Sequence, residues 1–536
     1  MTGASVRGPI RRDRLLLAVL VLGLAAAKVA YNPLLDHESL DGDYYYQISR
    51  NVAEGVGFKT GVSILHQGLK ELPGHTTIYP LWPLLLGWSG RAIGLDTAAL
   101  LLPELLFVVS LILVYGLTNR VCSAFDRWSP GRGPPSAINP GHLVVLILGT
   151  SPVYFRYTSL PYTEALALTL TFLALLVVER GSERVGWAAV AGVLAGMAFL
   201  ARSQNVGLIV AIPAAYLLAS GVRQGTRLAL AALIGAAIAI GPYLTFLWTW
   251  TAPPPATAVV LIDQYRETPE LTPFMMSVPT ESVWHHLRDR LTGVVVAFNP
   301  AHPESYVSSF GLAVYAVPVA MVSLVWSQRS RLSGWPAREL VLPLAVVISG
   351  VLLLLPVHEA HLTTSNYEWL FGHRHGLPFV LLLVAALGYL GRRTRPWLAA
   401  CVVLTALSSV TGVAGTVGRP VNDPTDGFTD AERALATWLD EQPRGTMALT
   451  THAHGLSVLT RTGLHWAACQ GSTEDTRAFV EHVGVDLVLV YPGEWACPQF
   501  AALKSTSESV RVFDDGLRRI EVVRPRRDRP DRGSGP

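Results

Sequence analysis

Long apolar runs, broken by short basic turns and by four long polar intervals, set the pattern of the chain. The runs are 14–31, 97–118, 142–157, 163–179, 187–202, 205–220, 228–250, 309–326, 339–356, 375–391 and 397–415. Each is near the roughly 17 to 25 residues that carry a helix across a bilayer core. The pattern therefore predicts an all-α polytopic membrane protein of about eleven transmembrane helices. Residues 79–94 are apolar too, but carry Trp82, Trp88, Pro80 and Pro83. They are placed in the membrane interface, where such residues are stable. Counting them as a span would put the next three arginine clusters on the wrong side.

The polar intervals obey a sidedness rule. Arg11 and Arg12, Arg120 to Arg132, Arg180 and Arg184, Arg223 and Arg227, Arg329 to Arg338, and Arg392 to Arg395 all fall in alternate loops. Basic residues near span ends favour the cytoplasmic side. The other face then receives residues 32–96, 251–308, 357–374 and the region from about 416. These intervals hold most of the chemistry: Asp36, His37, Glu38, Asp41, Asp43 and Tyr44 to Tyr46 in the first, Asp263, Arg266, His285 and His286 in the second, and His358, Glu359, Glu368, His373 and Arg374 in the third.

Within the first interval, Ile48, Val52 and Val56 recur at helical spacing. Asp41 and Asp43 then stand at the start of a short surface helix, as caps or as functional acids. The last interval reads as a small extracytoplasmic α/β domain. Phe428 to Leu439 has helical spacing with Thr429 as its cap, Thr473 to Val483 is helical, and Met447 to Thr451 and Asp486 to Tyr491 are buried strands. The chain thus divides into a membrane module, 1–415, a soluble domain, 416–523, and a tail, 524–536, of disordered composition.

Composition agrees. Half the residues are hydrophobic and 15% are charged, below the roughly 25% of soluble domains. A net charge of +3 without a basic stripe leaves no basis for a nucleic-acid partner. Cys469 and Cys497 share the C-terminal region. They pair if it faces an oxidising compartment and are otherwise two free thiols. Gly55, Gly57 and Gly61 miss the dinucleotide-loop spacing, and Leu362 stands where a zinc-protease pattern begun at His358 needs histidine. His373 with His375, and His452 with His454, are spaced as possible metal ligands without a fuller set around them.

Several stretches in order resemble one family. They are Asp41-x-x-x-Tyr45-x-x-Ile48, Asn51-x-x-x-Gly55-x-Gly57-Phe58 and Tyr79-Pro80-Leu81, then Ser151-Pro152 with Pro161-Tyr162-Thr163-Glu164. Ala191-Gly192 running to Leu200-Ala201-Arg202, Gly372-His373-Arg374-His375 with Pro378, and Trp438-Leu439 with Gly484-Val485-Asp486 complete the set. Together they are similar to the GT-C superfamily, the integral-membrane glycosyltransferases that use polyprenyl-phosphate sugars, of protein-mannosyltransferase or aminoarabinose-transferase type. Two positions depart from that pattern: Gly42 replaces a frequent glutamate, and His375 a frequent tyrosine.

The resemblance implies an inverting transfer of a sugar from a polyprenyl-phosphate donor to a hydroxyl on a glycan, lipid or protein acceptor, at the extracytoplasmic face of the plasma membrane. It implies Asp41 as general base, with Asp43 as alternative or orienting partner. Arg374, Arg202 and His373 would hold the donor phosphate, and Tyr45, His75, Glu164 and Arg156 would touch substrate. A divalent ion, Mg or Mn, is possible. The arginines and Glu164 are otherwise span-end anchors or caps. Two other classes compete: a lipid or glycolipid transporter or flippase, and a non-catalytic membrane assembly subunit. A transporter would want broken or charged mid-membrane helices and an internal repeat.

Overall fold

The computed structural model describes residues 7–31, 40–63, 72–75, 78–128, 139–159, 161–250, 298, 306–328, 338–360, 376–390, 400, 402–405, 407, 428–466, 473–493 and 496–526. In chain order the elements are α1 (Arg7–Tyr31), α2 (Leu40–Ala53), β1 (Lys59–Thr60), β2 (Val62–Ser63), β3 (Gly74–His75), α3 (Leu81–Ile93) and α4 (Leu95–Trp128). Next come α5 (Pro140–Gly149), α6 (Pro152–Tyr157), α7 (Glu164–Gly181), α8 (Val185–Ala201), α9 (Val206–Ser220) and α10 (Val222–Trp250). Then follow α11 (Tyr306–Phe310), α12 (Ala316–Gln328), α13 (Val341–Ala360) and α14 (Phe379–Leu390). The C-terminal region holds α15 (Asp430–Asp440), β4 (Met447–Thr450), α16 (Ala453–Leu459), β5 (Gly463–Trp466), α17 (Thr473–Val483), β6 (Leu487–Val490), α18 (Pro498–Ser505), β7 (Glu508–Asp514) and β8 (Arg519–Arg524).

Contacts divide the chain into two compact units. The first comprises 1–33, 100–243 and 278–420; the second comprises 34–99, 244–277 and 421–536. The first interval of the sequence reading is therefore grouped with the C-terminal region rather than with the spans that flank it.

The first unit is helical. Leu95–Trp128, Ser203–Ser220 and Val222–Phe246 are long and apolar enough to cross a membrane, and Pro140–Gly149, Val185–Ala201, Gly311–Trp326 and Phe379–Leu390 are shorter apolar helices. The described residues thus carry fewer full-length spans than the eleven of the sequence reading. Many exposed side chains on these helices are apolar, such as Ile238 on α10 and Val322 on α12, which is how a helix meets lipid rather than water. The run 142–157 is not one helix. It breaks after Gly149, because Ser151 is extended, its hydroxyl accepts from Tyr154 N, and Pro152 begins α6. Proline has no N–H to continue the α5 ladder and disfavours helical backbone in the residue before it.

Small residues bring α8 and α10 close. A Cβ at Gly192 would lie 1.8 Å from the carbonyl oxygen of Ala232, the backbone approach that glycine permits between membrane helices. Gly192→Val is accordingly expected to force the helices apart. Overpacking costs about 1–3 kcal/mol at an ordinary site, and this one has backbone rather than a yielding side chain opposite. Thermal unfolding in detergent checks it; an unchanged midpoint would refute the contact.

In the second unit a six-stranded sheet runs in the order β2-β5-β4-β6-β8-β7. Pairings β2–β5, β5–β4 and β4–β6 are parallel, and β6–β8 and β8–β7 are antiparallel. The Thr429 cap is a full capping box: its hydroxyl accepts from Glu432 N while the Glu432 carboxylate accepts from Thr429 N. Helix α17 has the bounds the spacing predicts, and β4 and β6 lie within the two predicted strands. One edge of the sheet comes from the first interval, since Val62 pairs with Leu464 and Ser63 with His465. Tyr44, Ile48 and Val62 share a core with Leu435, Leu456, Leu464 and Leu489.

His465 is buried on β5 against the ring of Phe479, 5.7 Å away, and neither ring nitrogen has a hydrogen-bond partner among the described residues. Burial lowers its pKa from 6.5 to about 4. The neutral ring therefore stabilises the fold fully above the unfolded value of 6.5, and that contribution is lost as pH falls from 6.5 toward 4. The shift corresponds to about 3 kcal/mol. His465→Leu is expected to flatten the fall in unfolding midpoint between pH 7 and 4 relative to the parent; equal slopes would refute it.

Candidate functional site

The described site candidates fall into two sets of side chains, one in each unit. In the second unit the set is built on α2. Asp41 and Asp43 lie in the first turns of this helix, where negative charge meets the positive end of the dipole. Asp43 is 8% exposed, and the side chain of Asp41 is outside the described residues. Tyr45 is half-buried, and its carbonyl accepts from Ser49 Oγ at 2.7 Å. Tyr46 donates to Asp96; burial and that carboxylate push its phenol well above the ordinary range.

The other polar residues of α2 hold its surroundings. Gln47 donates to Thr60 Oγ1 and accepts from Gly61 N, both at 2.8 Å, and Asn51 donates to the Lys59 carbonyl at 2.9 Å. Glu54 pairs with Arg461 at 2.7 Å, and that guanidinium holds its carboxyl below the usual range. Helix α3 lies against α2 so closely that a Cβ on Gly87 would stand 2.7 Å from the Ser49 carbonyl oxygen. At 13 residues, or about 20 Å, α3 is too short to span. Trp82 is buried and Trp88 is exposed, and the segment begins and ends within the 79–94 stretch assigned to the interface. His75 is in β3, opposite Lys59; its side chain is outside the described residues.

In the first unit, Glu164 opens α7 and Arg202 closes α8. The structure joins them: Arg202 Nη1 donates to Glu164 Oε1, with Glu164 2% and Arg202 14% exposed. Arg202 also donates to Gln204 Oε1 at 3.2 Å, and Gln204 donates to the Leu353 carbonyl at 2.7 Å. Arg156 is exposed at the end of α6. Arg374, His373, His375 and Cys469 lie outside the described residues; Cys497 is disulfide-bonded.

The sequence reading missed a second buried pair. Lys28, fully buried in the last turn of α1, donates to Glu104 of α4 and to the Thr158 carbonyl at 2.7 Å, with the Phe107 ring 5.1 Å away. Phe107 also stacks on Tyr154, and Ser110 bonds the Tyr154 hydroxyl. Helix α6, with Arg156, is thus clamped by α1 and α4. An acid inside an apolar run was the available signal, because such groups are expensive in a membrane unless paired. Among the described residues no group of three or more His, Cys, Asp or Glu is placed to hold a metal ion. His452 stands instead 3.6 Å from the buried Glu432, which also accepts from Arg518.

No family model matches the chain, and no curated protein matches it in sequence. Solved structures do. The Archaeoglobus fulgidus oligosaccharyltransferase, tethered to an acceptor peptide with an NVT sequon, aligns with a TM-score of 0.51 at 12% identity, covering 96% of this chain and 75% of that one. The arabinofuranosyltransferase AftD from Mycobacteria aligns with a TM-score of 0.52 at 15% identity, covering 96% of this chain. The chain spans 40% of the length of AftD. ArnT from Cupriavidus metallidurans, bound to undecaprenyl phosphate, gives 0.44 at 15% identity, with 95% and 97% covered. The fold of this chain is thus similar to the folds of the oligosaccharyltransferase and of AftD.

Proposed function

We propose that the protein transfers a sugar from a polyprenyl-phosphate donor to a hydroxyl acceptor at the extracytoplasmic face of the plasma membrane. The observation that carries this is the GT-C fold with a buried aspartate, Asp43, near the start of α2. In the reaction the acceptor oxygen attacks the anomeric carbon as the bond from that carbon to the phosphate oxygen breaks. Polyprenyl phosphate leaves with the bonding electrons, a carboxylate takes the hydroxyl proton, and the anomeric centre inverts. Asp41 is the assigned base and Asp43 its partner or substitute.

The leaving phosphate gains charge and requires fixed positive groups. Arg202 supplies a guanidinium held in place by Glu164 and Gln204; Arg374 and His373 are assigned the same role from their motif. Tyr45, His75, Glu164 and Arg156 are assigned to substrate contact. No step runs through a metal. The alternation of arginine clusters supports the extracytoplasmic placement of α2 and of the C-terminal α/β region.

The test is to incubate purified full-length protein in liposomes with polyprenyl-phosphate sugars and candidate acceptors, and to measure released polyprenyl phosphate and glycosylated product. Translocation of the lipid without cleavage would point to a transporter, and neither activity to an assembly subunit.

A further inference from the structure

Seven residues, two helical turns or about 10.5 Å, separate Asp43 from Arg50, so both stand on one stripe of α2. The guanidinium of Arg50 reaches main chain more than 400 residues away in sequence. It donates to the carbonyls of Ser457 at 3.1 Å, Val458 at 3.0 Å and Thr460 at 2.8 Å. These lie at the C-terminal end of α16, where the last carbonyls lack helical partners and the dipole is negative. A planar fork fits several such acceptors at once, whereas an ammonium is a single point of charge.

Three further contacts hold α2 to the same region. Tyr44 and Ile48 are buried with Leu435, Leu456 and Leu464. Strand β2 is paired to β5, and Leu464 N donates to the Gly61 carbonyl at 2.9 Å. Glu54 meets Arg461, an exposed pair that contributes little on its own. Among these, the Arg50 clip is the one made by the same stripe that bears Asp43. Both terminal nitrogens of the guanidinium donate to these carbonyls, while Nε has no hydrogen-bond partner among the described residues.

From this geometry we infer that Arg50 is a positioning residue for the carboxylates of α2, and that the C-terminal region completes the catalytic machinery. The inference rests on the glycosyltransferase reading above. A base acts only within hydrogen-bond reach, and a displacement near 1 Å costs on the order of 100-fold. Loosening the clip therefore lowers kcat and leaves donor binding in place.

The experiment compares full-length Arg50→Met, Arg50→Lys and Arg461→Ala proteins for kcat, KM of the lipid-linked donor, and unfolding temperature. Arg50→Met is expected to lower kcat by about 10- to 100-fold with KM within about twofold. Arg50→Lys, which keeps stem and charge, recovers part of that loss at the parental unfolding temperature. Arg461→Ala stays near the parent. Wild-type kcat in folded Arg50→Met and Arg50→Lys would overturn the inference. So would a lower unfolding temperature with unchanged kcat per folded molecule, which would confine Arg50 to the fold. If the parent protein itself transfers no sugar, the glycosyltransferase reading fails first and takes the inference with it.

Discussion

Asp41→Asn combined with Asp43→Asn is expected to lower sugar transfer from a polyprenyl-phosphate donor by about 100- to 10,000-fold, the range a positioned general base supplies. Asparagine keeps the size of the side chain and its ability to accept a hydrogen bond, but it cannot take a proton at neutral pH. The loss should appear in kcat, with KM for the donor little changed, because the proton moves only in the transition state. The acidic limb of the pH–rate profile should vanish with it. Of the two single variants, the one that reproduces the double variant marks the base. Asp43 is buried on a helix anchored by Gln47, Asn51 and Arg50. A stability check therefore accompanies the kinetics, so that a folding defect is not read as lost chemistry. Transfer at the parental rate by the double variant would remove the first interval from the mechanism.

What the sequence made legible follows the range over which each signal acts. Capping chemistry is local: Thr429 and Glu432 sit three residues apart, and the box they form is present. The helix at Thr473–Val483 also depends on neighbours along the chain. The glycine-rich stretch ending in Arg202 resembles a family helix, and its Gly192 meets the Ala232 backbone. Partners far apart in sequence were not legible. Strand β2 has two residues and no periodicity of its own; it exists because β5 offers an edge some 400 positions later. Arg50 reads as an ordinary basic residue near a helix end, and nothing in its neighbourhood announces the carbonyls of α16. Lys28 stands in the last turn of α1, and only the fold shows its partner Glu104. The break before Pro152 was present in the residues, but hydropathy across 142–157 hides it, since α5 and α6 are both apolar.

Removing one member of the Glu164–Arg202 pair is expected to be among the most damaging changes to stability. Glu164 is 2% exposed, so Glu164→Gln leaves a guanidinium without its counter-charge in a poorly solvated place. Breaking such a pair costs about 3–5 kcal/mol, whereas replacing both members by apolar residues of similar volume is often neutral. That asymmetry separates scaffold from function. Glu164→Gln and Arg202→Met should each lower the unfolding temperature markedly, and the double variant Glu164→Leu with Arg202→Met should recover most of it. If Arg202 also faces the donor phosphate, the recovered fold still lacks the cation that stabilises the leaving group, and transfer stays at least about tenfold below the parent. Stability and transfer restored together in the double variant would make the pair a structural tie between α7 and α8, and the phosphate role would pass to Arg374 and His373 alone.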